Sequence, residues 1–255
     1  MKETIKYIFL ILLLVFVSLR IKIAGCQVPE RAGNERTPAV YQESALPKNA
    51  FPDGERIKFG VYSTAIKVGS GELYYKGVSA VDGKKAQEIA FKVATFSVTD
   101  EDKIFGTLDF GSPLKVERKV RVFGRDEVIS EVYASDRRSV TISKSVDGKA
   151  PETLEIKTAY ELNNVLLLLY NLRNDQGLKV GKSYKITLPT QNFELFVKDI
   201  RRLKTPLGTF KAFYLESKPA KYRIWLSPEP GRLPLRIQGL VAGGMLYLVA
   251  TEVSK

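Results

Sequence analysis

The feature that most constrains this chain is a period of two. Arg56-Ile57-Lys58-Phe59-Gly60-Val61 alternates polar with apolar or small residues. Stretches of the same kind recur at 72–77, 86–95, 103–110, 114–123, 127–134, 139–146, 184–188, 193–200, 209–216, 222–226, 235–239 and 245–252. A strand turns successive side chains to opposite faces, so alternation marks a strand with one face buried. Turn signals punctuate the stretches: Asp82-Gly83, Asp147-Gly148, Thr205-Pro206-Leu207-Gly208 and Ser227-Pro228-Glu229-Pro230-Gly231. Asp-Gly between alternating stretches is a hairpin signal, because glycine takes positive φ without strain. About twelve short strands with few helices between them predict a mainly β chain. The expected form is an antiparallel sheet, not a βαβ fold.

One segment breaks the rhythm. Asn163-Asn164 is followed by Val165-Leu166-Leu167-Leu168-Leu169-Tyr170-Asn171-Leu172-Arg173, with no β-branched run after Val165. An Asn cap and a Leu-rich body predict a helix over about 164–173. Its main stripe is Val165, Leu168, Leu169 and Leu172, broadened by Leu166 and Leu167. A helix this apolar is buried nearly all round, which puts it in the concave face of the sheet. Those four stripe residues are the candidate lining of any apolar binding site there. A short buried strand of leucines is the alternative.

The N-terminus carries an address. Lys2 and Lys6 precede Tyr7–Leu19, thirteen residues without a charge. A spanning helix needs about 20 apolar residues, so this run suits the core of an export signal instead. Arg20 and Lys22 follow, then Ile23-Ala24-Gly25-Cys26. That tetrad looks like a lipobox, in which two small residues admit the peptidase and the Cys26 thiol receives lipid. Residues 1–25 are then a signal peptide of the lipoprotein type, and 26–50 a tether with Pro29, Pro38 and Pro47. Acyl chains hold a protein to a bilayer at about 0.8 kcal/mol per buried CH₂. A flexible segment of 24 residues spans roughly 27 Å. Two alternatives stay open: an ordinary cleaved signal and an uncleaved anchor. All three place residues 51–255, read as a single β-rich domain, on the periplasmic side of a membrane. Gln27, not Asp, after the cysteine favours the outer membrane over the inner.

Composition narrows the chemistry. The chain has no His and one Cys, which excludes imidazole bases, Ser-His-Asp and Cys-His pairs and most zinc sites. Asp100-Glu101-Asp102 lacks the spaced oxygens of a calcium loop and is read as a solvated turn. Arg137-Arg138 and Arg201-Arg202 are read as solvated strand ends, and Gly69-Ser70-Gly71 as a bend or bulge. Trp225 is read as a core or edge residue. No catalytic residue, metal site or cofactor is assigned, and the chain is not expected to be an enzyme. The net charge is +12, and +9 without residues 1–25; that excess suits anionic headgroups or other polyanions better than nucleic acid, for which no motif is present.

Seven motifs stand in order along the chain: Phe51-Pro52-x-Gly54-Glu55-Arg56-Ile57, Ile66-x-Val68-Gly69-Ser70-Gly71-Glu72-Leu73, Leu167-Leu168-Leu169-Tyr170-x-Leu172-Arg173, Leu178-x-Val180-Gly181, Thr205-Pro206-x-Gly208-Thr209-Phe210, Ile224-Trp225-Leu226-Ser227 and Arg232-Leu233-Pro234-Leu235-Arg236-Ile237. Together they resemble a bacterial envelope family known as domain of unknown function 3108. The resemblance covers about 51–253. It implies an exported antiparallel β domain similar to the half-barrels of periplasmic lipoprotein carriers, and it supplies no catalytic residues. Asn163-Asn164 stands where the family has an acidic cap, which favours a dry helix–sheet contact. Arg173 is expected to meet carbonyls at the helix C-terminus. The favoured expectation is an apolar cavity between sheet and helix for a lipid, acyl chain or lipoprotein tail. The alternative is a structural protein that docks an envelope partner through its sheet edges or basic face. A cavity of roughly 300 Å³ or more would favour the first, and a much smaller one the second.

Overall fold

The computed structural model describes residues 51–241 and 244–255. The expected signal, Cys26 and tether lie outside these residues. The alternating stretches form fourteen strands: β1 (Arg56–Ser63), β2 (Ile66–Val81), β3 (Lys84–Thr95), β4 (Val98–Gly106), β5 (Pro113–Val122), β6 (Arg125–Tyr133), β7 (Ser139–Val146), β8 (Glu152–Lys157), β9 (Ser183–Leu188), β10 (Gln191–Thr205), β11 (Gly208–Lys218), β12 (Tyr222–Leu226), β13 (Pro234–Val241) and β14 (Gly244–Ser254). One helix, α1 (Val165–Asn174), joins β8 to β9. All fourteen strands belong to one open sheet, in the order β8-β7-β6-β5-β4-β3-β2-β1-β14-β13-β12-β11-β10-β9.

Every neighbouring pair but one is a sequential antiparallel hairpin. The exception is β1 with β14, where Arg56 faces Ser254 and Ser63 faces Leu246. The chain therefore starts mid-sheet, winds out to the β8 edge, crosses through α1 to the β9 edge and winds back. This divides the sheet into a first wing, β1–β8, and a second wing, β9–β14. At Asp82-Gly83 and Asp147-Gly148 both residues have positive φ, as tight hairpin turns require.

The thirteen alternating stretches account for every strand but β8, Glu-Thr-Leu-Glu-Ile-Lys, whose residues are all exposed or half-buried. A strand with no deeply buried face has weak alternation of hydropathy to read. The stretch expected at 103–110 stops at Gly106. Beyond it Phe110 N–H donates to the Thr107 carbonyl, and Asp109 accepts from Thr107 Oγ1 and Gly111 N–H. Gly69-Ser70-Gly71 lies inside β2 beside a register shift against β1, between Val61 and Tyr62.

One face of the sheet and the helix share a single core. Phe59, Leu73, Ile89, Ile104, Val116, Val140, Leu195, Val197 and Leu215 cluster with Leu166, Leu167, Leu169, Tyr170 and Leu172 of α1. Ile156 of β8 and Tyr184 of β9 pack against the same cluster. A core that collects residues from both edge strands requires a curled sheet with α1 in its concavity. Helix and sheet touch closely at Gly106, where an added Cβ would lie 2.4 Å from Leu167 Cδ2. Each fully buried leucine adds about 1.5–3 kcal/mol relative to exposure. A second cluster holds Ala212, Tyr214, Trp225 and Leu235 on the opposite face of the second wing, so Trp225 is a core residue.

The segment before α1 ties the sheet edges together. Thr158 and Leu162 N–H donate to the Arg138 and Arg137 carbonyls of the β6–β7 loop, at 2.8 and 2.7 Å. Asn163 N–H donates to the Thr187 carbonyl of β9, and Thr187 N–H returns a bond to Asn163 Oδ1 at 2.9 Å.

Candidate functional site

The helix begins where its sequence says it should. Asn164 is extended, and its Oδ1 accepts from Leu166 and Leu167 N–H at 2.9 and 3.3 Å. The adjacent asparagines thus divide two tasks: Asn164 caps α1 and Asn163 pins it to β9. Pinned in this way, α1 leaves an apolar concavity of about 130 Å³ against the sheet. The helix contributes Val165, Leu166, Leu168 and Leu169. The first wing contributes Val61, Phe91, Val93 and Asp100, and the second wing Phe193, Leu195, Ile224, Ile237 and Leu248 among others.

Val165, Leu168, Phe193, Ile224, Ile237, Leu246 and Leu248 are only half-buried. Apolar side chains therefore remain open to solvent on the inner face of the sheet, where a binding site is the usual reason for such exposure. Three of the four expected lining residues, Val165, Leu168 and Leu169, stand on this wall. Leu172 does not: it is fully buried in the closed core, because its end of the helix is enclosed by packed side chains. Leu166, expected only to broaden the stripe, takes part in the lining.

Motif residues, with Tyr75 and Phe110, enclose that end. Phe51, Tyr75, Phe110 and Tyr170 form an aromatic box with ring centroids 5.0–5.9 Å apart. Arg173, 1% exposed, lies against it, 4.3 Å from the Phe51 ring. Its Nε donates to the Gly231 carbonyl and its Nη2 to Glu55, both at 2.8 Å. The expectation for Arg173 is corrected here: it does not cap its own helix but joins the chain entry, α1 and the β12–β13 loop. Arg232 supplies the helix-end contact, donating to the Arg173 carbonyl at 3.2 Å. A distant carboxylate outcompetes a local carbonyl because a charge-assisted bond in a dry site is the stronger one. Burial also pushes the Tyr170 phenol well above its ordinary value.

The acidic triplet is a second correction. Asp100 and Asp102 are buried in β4, not solvated in a turn, and only Glu101 faces water. Arg118 of β5 explains this. Its Nε donates to Asp100 Oδ1 at 2.8 Å, its Nη2 meets Asp100 Oδ2, and Asp102 Oδ1 lies 3.4 Å from Nε. Nearby Glu131 accepts from the Tyr133 hydroxyl at 2.5 Å. Burial, with Asp100 and Glu131 adding, pushes the Asp102 carboxyl up to about 8 against the pull of Arg118. Burial likewise raises Glu131. Asp102 Oδ2 has no hydrogen-bond partner, as a carboxyl that shares too few donors would leave it. Among the described residues no group of three or more His, Cys, Asp or Glu is placed to hold a metal ion.

An open antiparallel sheet curled round one apolar helix, with an apolar groove between them, defines a half-barrel β protein. The chain belongs to the family described as protein of unknown function DUF3108, whose model matches residues 57–249. No curated protein is significantly similar in sequence. Among solved structures, the beta-barrel-like DUF1849 protein from Brucella abortus is 7% identical with a TM-score of 0.47, covering 79% of this chain and 97% of its own. A candidate exported protein with a YmcC-like fold from Bacteroides fragilis is 9% identical with a TM-score of 0.29, covering 80% and 97%. A candidate lipoprotein from Parabacteroides distasonis is 11% identical with a TM-score of 0.28, covering 81% and 98%. Likenesses this distant carry no function across.

Proposed function

We propose that this is a non-catalytic cell-envelope protein, lipid-tethered through Cys26, that grips an apolar group in the groove between α1 and the sheet. The observation that carries the reading is the half-buried apolar wall of Val165, Leu168, Phe193, Ile224, Ile237 and Leu248. At about 130 Å³ the concavity is below the roughly 300 Å³ of a drug-sized site, yet close to an engineered apolar cavity of about 150 Å³ that admits benzene. It therefore suits one slender apolar segment, such as the end of an acyl chain, and not a whole lipid. Native mass spectrometry of protein purified from its own membranes should show an amphiphile bound. Leu168→Trp should fill the groove and reduce uptake of a fluorescent fatty acid at least about tenfold, with a stability change under about 1.5 kcal/mol because the half-buried site can yield. Uptake unaffected by Leu168→Trp would sink this reading. Export and tethering are tested separately, by whether lipid labelling is lost in Cys26→Ser.

The small volume favours a second reading, in which the groove receives apolar side chains of an envelope protein. Docking by strand addition at the β8 edge is the weaker form of it. That strand is short and carries Glu152, Glu155 and Lys157, the kind of edge that resists pairing. In-cell crosslinking from position 168 should then recover one defined protein, and recovery of lipid alone would reject this alternative.

A further inference from the structure

The excess positive charge of residues 51–255 falls after residue 162. Residues 51–162 hold 18 Lys and Arg against 18 Asp and Glu, whereas residues 163–255 hold 15 against 6. Within the second wing the excess is densest at the free end of the β10–β11 hairpin. Arg201, Arg202, Lys204 and Lys211 are all exposed there, with Asp199 as the one acid. Arg202 pairs directly across the ladder with Lys211. Like charges in that position repel. No carboxylate among the described residues pairs with Arg202, Lys204 or Lys211. On the same face, next to Arg202, Ile200 is 52% exposed. Unpaired cations around an exposed aliphatic residue fit a surface that is both anionic and apolar beneath.

The register adds a position. Antiparallel pairing puts the start of β1, the end of β12, the start of β13 and the Thr205–Gly208 turn at one end of the sheet. Packing links them: Arg173 joins Glu55 to Gly231, and Leu203, Phe210 and Leu233 all pack against the cluster of Ala212, Tyr214, Trp225 and Leu235. The chain thus enters the sheet at the end that carries the basic hairpin. The first described residue, Phe51, leads into β1 at that end, so under the envelope reading a lipid on Cys26 tethers the domain from the side of the basic hairpin.

We propose that the end of the β10–β11 hairpin, with Arg202, Lys204 and Lys211 around Ile200, is the surface by which this domain lies on an anionic lipid bilayer. Lysine and arginine near such a surface gain energy residue by residue, and a tether raises their local concentration there. The proposal rests on the envelope reading and is independent of the groove. The test uses Gln27–Lys255, which contains every described residue and lacks Cys26, so acylation cannot contribute.

This chain should co-sediment with phosphatidylglycerol-rich vesicles and not with phosphatidylcholine vesicles, and salt should release it. The triple variant R202E/K204E/K211E should weaken binding by about tenfold or more. The same charge change at Lys67, Lys119 and Lys149 in the first wing should leave it within about twofold. If the glutamate variant fails to fold, R202Q/K204Q/K211Q serves in its place. Ile200→Cys, then the sole thiol of the tested chain, carries an environment-sensitive dye that should shift to the blue on phosphatidylglycerol vesicles. Equal loss from both triple variants, an unshifted dye, or equally tight binding to soluble heparin would overturn the proposal. None of these outcomes bears on whether Cys26 is lipidated, so the envelope reading would survive them.

Discussion

The first wing and the second wing handle charge in opposite ways. Over residues 51–162 basic and acidic residues are equal in number, and even deep cations have partners: Arg118 lies among Asp100, Asp102 and Glu131. Over residues 163–255 the cations outnumber the anions by nine, and those of the β10–β11 end repel one another across the ladder. Between the wings lies the Glu55–Arg173 pair, a carboxylate just before β1 and a guanidinium of α1. The difference teaches that one sheet can use charge in one wing to hold itself together and leave it available in the other. Buried charge fixes geometry at high cost if broken, whereas exposed unpaired charge contributes nothing to folding and suits a partner.

The comparison can be broken most forcefully at Arg118. Arg118→Met keeps the volume but leaves the buried Asp100 and Asp102 and the half-buried Glu131 without their cation, and should cost about 3–5 kcal/mol in urea unfolding. A loss under about 1 kcal/mol would show that the first wing does not depend on its charge pairing. A second effect, comparable in size only when summed over several pH units, comes from Asp102. In the folded chain it keeps its proton up to about pH 8, and in the unfolded chain only to about 3.8. Between those values unfolding releases a proton, so stability should fall as pH rises, by at most about 1.4 kcal/mol per pH unit. Asp102→Asn should flatten that slope and be the more stable protein at pH 8. Parallel stability profiles for the two proteins from pH 5 to pH 8 would show that the carboxyl is already ionised. The smallest effect belongs to the second wing. Arg202→Gln relieves the repulsion from Lys211 and should stabilise by a few tenths of a kcal/mol at low salt, fading as salt is raised. Measurable destabilisation would mean that Arg202 has a stabilising role in the fold after all.

Much of the architecture is legible in the residues themselves. The alternation from Arg56, the Asp-Gly turns and the Asn164 cap are local signals, and each appears where local physics puts it. Strand β8 is less legible because it lies at an edge with no buried face. Half of the candidate site is also readable, since Val165, Leu168 and Leu169 follow from helical spacing. The sheet half is not, because residues as far apart as Val61 and Ile237 meet only after the sheet has curled.

What the sequence alone determined is the mainly β pattern from residue 51 on, the apolar helix near 164–173 and, within residues 51–255, the placement of the excess positive charge after residue 162. What only the tertiary structure decided is the fate of individual charges. Asp100 and Asp102 read as a wet turn until Arg118 arrives from the neighbouring strand, and Arg173 reads as a helix end until Glu55 reaches it from across the fold. The reason is physical: a strand's period follows from its own backbone, but the cost of burying a charge depends on a partner that only folding brings within reach.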